Sequence, residues 1–292
     1  MKQLVILSGK GGTGKTTVAA SFIALAENRA FADCDVDAPN LHLIHAIGSK
    51  PLQEDFYGYR KAVMYKEYCT CCGICEKLCQ FGAIRDGKVN QYECEGCGVC
   101  EEFCPSQRAD GKKAITLEKN ISGKTLLYGN NESVFSSAVL KMGNGASGKL
   151  VTQVRKNLYK SLKKHEIVII DGSPGIGCPV VASVTGVDMV LVVAEPTVSG
   201  MHDMERIVET AAKFGAACVM CINKFDVNLE NTQKIEEYCR QHNILMAGKI
   251  PFDPRVIEAV NAGKPVVLLD NCPAKDAIVS IWGTVSALLL QE

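Results

Sequence analysis

The chain has 292 residues, 47% hydrophobic and 22% charged, with 32 basic residues against 32 acidic ones. That size suits one large domain, or one large and one small, and the composition excludes a mainly disordered chain. Zero net charge gives no broad basic face for nucleic acid. No uninterrupted run of eighteen apolar residues marks a membrane span, and the apolar start from Met1 stops at Ser8, too short for a secretory leader. The expected location is cytoplasmic, with no membrane or nucleic-acid partner.

The first six or seven residues predict a buried strand. It ends in Ser8-Gly9-Lys10-Gly11-Gly12-Thr13-Gly14-Lys15-Thr16-Thr17, and an apolar helical stretch runs on through Ala26. A second strand contains Ala30-Phe31-Ala32 and ends at Asp33-Cys34-Asp35. The next segment, roughly Phe56 to Leu117, is rich in Gly, Cys and charge and poor in long periodic runs, which predicts an inserted unit. After it come Leu126-Leu127-Tyr128, a Gly/Ser/Asn loop at Gly143–Gly148 and a helical pattern over Leu150–Leu162. Three apolar strands follow: Ile167–Ile170 before Asp171, Met189–Ala194 before Glu195-Pro196, and Ala217–Ile222 before Asn223. Apolar strands alternating with helices predict a doubly wound, mostly parallel α/β sheet with its ligand at the carboxyl ends of the strands. Residues 1–55 and 119–292 are assigned to that domain, and residues 56–118 to a small inserted α+β domain.

Gly9 to Thr16 fits G-x-x-x-x-G-K-[ST] between a strand and a helix. Glycines let backbone N–H groups wrap phosphates at the helix N-terminus. Lys15 is then expected at the β/γ-phosphates and the Thr16 hydroxyl on Mg²⁺. Gly9, Gly11, Gly12, Thr13, Gly14 and Thr17 complete the phosphate-binding set.

The second lysine of the loop, Lys10, narrows the class. Lys-Gly-Gly-Thr-Gly-Lys-Thr-Thr resembles the deviant Walker A loop of the MinD/Mrp/ParA and nitrogenase-iron-protein family. The resemblance implies ATP and Mg²⁺, a homodimer closed on two nucleotides, and slow hydrolysis without a partner. Lys10 would cross to the partner's ATP and neutralise transition-state charge. Asp33-Cys34-Asp35-Val36-Asp37-Ala38-Pro39-Asn40 looks like switch I, with Asp35 positioning the attacking water. Asp33 and Asp37 read as structural and Asn40 as a loop cap. Asp171-Gly172-Ser173-Pro174-Gly175 looks like Walker B and switch II, with Asp171 holding Mg²⁺ through water and Gly175 offering its amide to the γ-phosphate. A carboxylate at a strand end can also be only a helix cap. Asn223-Lys224 resembles the adenine-binding Asn of the family, and Ile250-Pro251-Phe252-Asp253 its Pro-x-Asp loop, which adds Pro251 and Asp253 to the nucleotide site. Asp203 resembles a position that supports the switch, or is a helix-surface carboxylate.

Fifteen cysteines are present, and nine lie between Cys69 and Cys104. Cys69-x2-Cys72-x2-Cys75-x3-Cys79 is followed by Cys94-x2-Cys97-x2-Cys100-x3-Cys104-Pro105, the bacterial two-cluster ferredoxin spacing written twice. In that pattern the fourth cysteine serves the other cluster. Cys69, Cys72, Cys75 and Cys104 are therefore expected on one 4Fe–4S cluster, and Cys94, Cys97, Cys100 and Cys79 on the other. A pair of Cys₄ zinc sites is the alternative. Gln80 stands where the first repeat usually has proline, and the extra Cys71 leaves the Cys71/Cys72 register open. Cys218 and Cys221 lie in a predicted strand, three apart and hence on opposite faces. They read as buried thiols, like Cys34, Cys239 and Cys272. Cys178 follows Asp171 by seven residues, the offset of a cysteine that helps hold an intersubunit cluster in the nitrogenase iron protein. That family's second such cysteine has no counterpart near Asn144–Gly148, so Cys178 reads either as a bridging ligand or as a buried or redox-active thiol. His42, His45, His165, His202 and His242 form no ligand spacing.

Together these features predict an ATP-gated iron–sulfur protein in which γ-phosphate contacts drive a conformational switch. Its output is electron transfer to a redox partner or, alternatively, delivery of clusters or metal to a maturing enzyme. A spatial organiser of the MinD/ParA kind is a further reading, but the tail from Ala274 carries one basic residue, Lys275, and lacks a basic membrane-binding helix. Amidoligase chemistry is set aside because no residues remain for a glutaminase domain.

Overall fold

A computed structural model describes residues 1–26, 29–44, 50–129, 133–162 and 167–291; His45 and His165 lie outside them. The chain runs β1 (Lys2–Leu7), α1 (Lys15–Leu25), β2 (Arg29–Asp33), a short α2 (Leu41–Ile44) and β3 (Leu52–Tyr57). The cysteine-dense segment contributes β4 (Lys61–Met64), α3 (Ile74–Leu78), β5 (Ile84–Arg85), β6 (Lys88–Val89), α4 (Val99–Glu102) and β7 (Ile115–Glu118). Then come β8 (Ile121–Gly129), β9 (Ser133–Leu140), α5 (Ser147–Ser161), β10 (Ile167–Asp171), α6 (Cys178–Val184), β11 (Met189–Ala194), α7 (Val198–Lys213) and β12 (Ala217–Asn223). The last elements are α8 (Leu229–Gln241), β13 (Leu245–Ile250), α9 (Arg255–Asn261) and α10 (Pro273–Leu290).

Among the described residues nine strands form one sheet, in the order β13-β12-β11-β1-β10-β2-β9-β8-β3. Pairings from β13 to β9 are parallel, and β8 and β3 add antiparallel pairs at one edge. The apolar runs of β1, β10 and β11 follow from helices covering both faces, since side chains alternate along a strand. Leu4 and Ile6 face one side with Phe22, Phe31, Ile169, Ile278 and Ile281. Val5 and Leu7 face the other with Leu150, Val154, Ile170, Val192 and Ile207. Cys221 packs on the first side and Cys218 against the second, as expected of residues three apart in a strand.

The antiparallel edge was not legible as strands. β3 is mostly exposed, and β8 and β9 bury Ser122, Thr125, Ser136 and Ser137 among their apolar residues, which breaks the hydrophobic alternation. Ser136 Oγ donates to Val154 O at 2.8 Å, whereas the buried Ser137 hydroxyl has no hydrogen-bond partner among the described residues. Phe56 and Tyr57 pair with Gly123 and Ile121, so the large sheet runs two residues past the expected edge at residue 55.

α10 is long and apolar enough by composition to cross a membrane. Here one of its faces, Ala274, Ile278, Ile281, Val285 and Leu289, is buried against the sheet, and Trp282 packs on Phe22 with ring centroids 4.9 Å apart.

Phe135 stacks between Phe31 (4.7 Å) and Tyr128 (5.2 Å) and ties the parallel sheet to its antiparallel edge. Phe135→Ala is expected to lower the unfolding free energy by about 3–5 kcal/mol in urea titrations.

Candidate functional site

The loop after β1 wraps the N-terminus of α1. Gly12 and Gly14 adopt left-handed φ values of 84° and 90°. At Gly14 a Cβ would also lie 2.3 Å from Asn223 Nδ2, so side chain and backbone both demand glycine. Asn223 Nδ2 donates to Thr13 O at 2.7 Å and fixes the loop from the end of β12.

Beneath the loop, Lys15 Nζ donates to Asp171 Oδ1, and Thr16 Oγ1 donates to Asp171 Oδ2 at 2.7 Å. Lys15 and Asp171 are both buried, so each is the other's countercharge. Asp33, at the end of the neighbouring β2, accepts from the N–H groups of Asp35, Asn40 and Leu41, each at 3.0 Å. It thereby shapes the turn that carries Asp35. Burial, then the charge of Asp171, pushes the Asp33 carboxyl up to about 7. Burial also raises Asp35, against the pull of Lys15.

A cavity of about 730 Å³ opens above these groups, within the range of small-molecule sites. It is lined by the loop from Lys10 to Thr17, by Asp35, Asp37 and Asn40, and by Ser173 and Pro174. A second cavity of about 230 Å³ adjoins it through Gly12, Gly14 and Thr17 and is walled by Asn223, Lys224, Ile250, Val256, Ile257 and Ile278. The first cavity combines the loop backbone and Lys10 and Lys15 with Asp35 and Asp37, and the second is mostly aliphatic with the Asn223 amide and Lys224 in its wall, which suits the phosphates and base of one nucleotide.

Four expected site residues are placed differently. Gly9 does not line either cavity; its Cα abuts Asp203, where a Cβ would lie 2.0 Å from Asp203 Cβ. The Gly175 N–H donates to Ser8 O at 3.0 Å, so here it is not free for a phosphate. Pro251 and Asp253 also lie off both cavity walls. The Asp253 carboxylate takes the Cys272 thiol at 3.1 Å and the Arg255 N–H at 3.0 Å, joining the starts of α9 and α10. Hydrophobic wall residues such as Val256, Ile257 and Val260 escaped sequence reading because nothing distinguishes them from core.

Residues 4–266 match the family described as the CobQ/CobB/MinD/ParA nucleotide binding domain. The chain belongs to this family of P-loop ATPases. An uncharacterized protein of Methanocaldococcus jannaschii is 36% identical, covering 96% of this chain and 95% of that protein. The iron-sulfur cluster carrier protein of Pyrococcus furiosus is 24% identical over 96% of this chain and 83% of its own length. Among solved structures, the cell division ATPase MinD of P. furiosus matches with a TM-score of 0.59 at 18% identity, covering 98% and 99% of the two chains. A MinD from Pyrococcus horikoshii complexed with Mg-ADP matches equally, at 0.59 and 18%, covering 98% of this chain and 96% of that one. These likenesses fix the fold of this MinD/ParA-family chain.

The cysteines form two further groups. One cavity is lined by Cys69, Cys72, Cys75 and Cys104, the other by Cys79, Cys94, Cys97 and Cys100. Gly73 and Gly98, both left-handed, turn the chain from each cysteine loop into α3 and α4. The Ala62 N–H donates to Cys94 Sγ at 3.4 Å and the Cys71 N–H to Cys69 Sγ at 3.4 Å. Among the described residues no three His, Cys, Asp or Glu side chains converge as on a single metal ion. A tetrahedral zinc at about 2.3 Å from each sulfur would bring the sulfurs within about 3.8 Å of one another. Cys178 is exposed rather than buried and starts α6; a Cβ on Gly148 would lie 3.1 Å from Cys178 Cβ. Gly148, in the first turn of α5, ends the 143–148 stretch, in which Gly143 O accepts from Lys61 Nζ at 3.1 Å and Gly143 Cα rests on Tyr92. That stretch touches both the segment after Asp171 and the cysteine-dense segment.

The Asp33 assignment has a pH signature. Between about pH 4 and pH 7 the folded chain keeps the Asp33 proton that the unfolded chain loses, so this contribution to stability is complete below that window and fades as pH rises through it. In urea titrations of nucleotide-free protein, the stability of the wild type minus that of Asp33→Asn should fall across the window by on the order of a few kcal/mol. A flat or rising difference contradicts the raised carboxyl.

Proposed function

We propose that this chain is a Mg-ATP-dependent P-loop ATPase that works as a homodimer. In this reading its nucleotide state acts on two 4Fe–4S clusters held in an inserted ferredoxin-like domain, residues 56–118, and its output is electron transfer to a partner protein. The carrying observation is the sorting of eight cysteines into two cavities of four in the crossed pattern, Cys104 with the first loop and Cys79 with the second. Those two sets would hold the clusters, which when bound supply one-electron chemistry.

The chain's own residues fit that role. N–H donors on Cys69 and Cys94 sulfurs are the kind of contact that sets a cluster's potential. Burial raises Cys75, and raises Cys100 to about 11, and a bound metal's positive charge would oppose that shift. Because each set borrows a cysteine from the other half, neither opens alone, which favours clusters that stay. On the ATPase side, Lys15, Thr16 and Asp171 would bind the phosphates and Mg²⁺, Asp35 would orient water, and Lys10 would serve the partner's nucleotide. Asn223 and the walls of the smaller cavity would hold the base. The 143–148 stretch would carry movement after Asp171 to the cysteine segment, because it contacts both.

A second reading, delivery of clusters to another protein, is favoured by the cluster-carrier relatives. An anaerobic experiment separates the two. With reduced protein, Mg-ATP should change the EPR spectrum or midpoint potential while iron stays bound. Iron leaving for an added apo-protein only with ATP would instead make the chain a carrier. Lys15→Ala should lose ATP turnover by at least about a hundredfold with iron content unchanged. Cys104→Ala and Cys72→Ala should each reduce iron from about eight to about four per chain and remove the same EPR signal. Loss of different signals would refute the crossed assignment.

A further inference from the structure

Lys61 is a buried cation that the nucleotide site does not use. It sits in β4 with 6% of its surface exposed, and its ammonium donates to two backbone carbonyls, Gln91 O and, at 3.1 Å, Gly143 O. No ion pair among the described residues includes it. Glu118, opposite it in the β4–β7 ladder, serves Tyr65 and Arg108 instead. Carbonyl dipoles satisfy the donors of Lys61 without cancelling its charge. The two acceptors belong to different parts of the chain. Gln91 stands three residues before Cys94, and Gly143 begins the stretch that leads into α5. Around this pin the second cysteine loop is fastened closely. Gln91 Nε2 donates to Ala62 O at 2.8 Å, and the Ala62 N–H reaches Cys94 Sγ at 3.4 Å. A Cβ on Gly143 would lie 3.0 Å from the Tyr92 ring, and one on Gly96 would lie 2.0 Å from Arg60 O. The first cysteine loop is tied differently: the side-chain hydrogen bonds of Thr70, Cys71 and Cys104 reach only Ser106 and Cys69.

We propose that Lys61 is the positioning residue that makes the set of Cys79, Cys94, Cys97 and Cys100, and not the other set, answer to nucleotide, by pinning its loop to the 143–148 stretch and by placing a buried positive charge beside it. The proposal rests on the reading of residues 56–118 as a two-cluster domain. The two sets share one cysteine spacing, so their ligands do not distinguish them. A buried cation on one side does. Reduction adds negative charge to a cluster, and a nearby cation favours that form, more strongly where water does not screen it. Glu93, Glu95, Glu101 and Glu102 also flank this loop. Glu95 and Glu102 are exposed and hence screened, Glu93 lies 3.7 Å from Arg85, and Glu101 accepts from Thr116. Movement of the 143–148 stretch would displace one acceptor of Lys61, and the ammonium with it. The set of Cys69, Cys72, Cys75 and Cys104 would feel that movement only through its neighbour.

The test is an anaerobic redox titration of the iron-loaded chain, read by EPR with and without Mg-ATP. Dithionite supplies one electron to each cluster, and no bond forms or breaks. Mg-ATP should shift the signal that Cys97→Ala lacks and leave the signal that Cys72→Ala lacks. Lys61→Gln keeps a donor for the two carbonyls but removes the charge. It should make the first of these signals harder to reduce by about tenfold, or about 59 mV for one electron, and leave the other midpoint in place. Its response to Mg-ATP should also weaken. Tyr92→Ala alters an exposed ring on Gly143 and no charge, so it should weaken the response while both nucleotide-free midpoints stay. In iron-free protein, Lys61→Gln should speed amide hydrogen exchange over residues 90–96 and not over 68–76. If Lys61→Gln moves neither midpoint, or both alike, its charge has no such role. If Mg-ATP shifts the signal tied to Cys72, the responsive set is the wrong one. Failure of the two-cluster reading looks different: wild type then lacks the iron, about eight per chain, from the start.

Discussion

Lys15 and Asp171 form a buried ion pair between the start of α1 and the end of β10, and Thr16 adds a hydrogen bond to the same carboxylate. Removing one member of such a pair leaves an uncompensated charge that typically costs about 3–5 kcal/mol. The pair therefore ties the phosphate loop to the centre of the sheet. Other parts of the site are arranged around it. Burial and then the charge of Asp171 raise the Asp33 carboxyl, and the Cys34 N–H donates to Asp171 O at 2.8 Å. A nucleotide with Mg²⁺ bound at this loop would bring competing charge for both members at once. The strand ends and the phosphate loop are thus coupled through one contact.

The sheet's centre was legible because β1, β10 and β11 are unbroken apolar runs, and such runs suit strands covered on both faces. The loop motif and the cysteine spacing were legible because each depends on short-range chain geometry: the left-handed Gly12 and Gly14, and Gly73 and Gly98 before their helices. What failed was of another kind. β3, β8 and β9 are held by pairing, and buried hydroxyls in β8 and β9 break the hydrophobic alternation. Asp253 could be assigned to the base only by likeness; its partners, Cys272 and Arg255, are set by how α9 and α10 start, which local sequence does not state. Gly175 shows the same limit, since its N–H has an acceptor in Ser8 that only the folded loop supplies.

Two sets of cavities share the chain without sharing residues. The nucleotide cavities use strand ends of the parallel sheet, while the cysteine cavities are built from short turns around Ala62, Ala83, Ile84 and Ile115, a small core of their own. The eight cysteines sorted into those cavities carry the proposed role in electron transfer, and the 143–148 stretch is where the two parts meet.

The point at which the cysteine segment leaves the sheet has a consequence for how the chain folds. β3 ends at Tyr57, paired with Ile121 at the start of β8, and a Cβ on Gly58 would lie 2.6 Å from Ser122 Oγ. Exit and return are thus neighbours in one antiparallel ribbon. Topologically the whole segment is the tip of a hairpin. The entropy of closing such a tip rises by only about 0.6 kcal/mol for each doubling of its length. The ATPase sheet can therefore form with little regard for what hangs from that hairpin, and a short turn joining Tyr57 to Ile121 would restore an ordinary one.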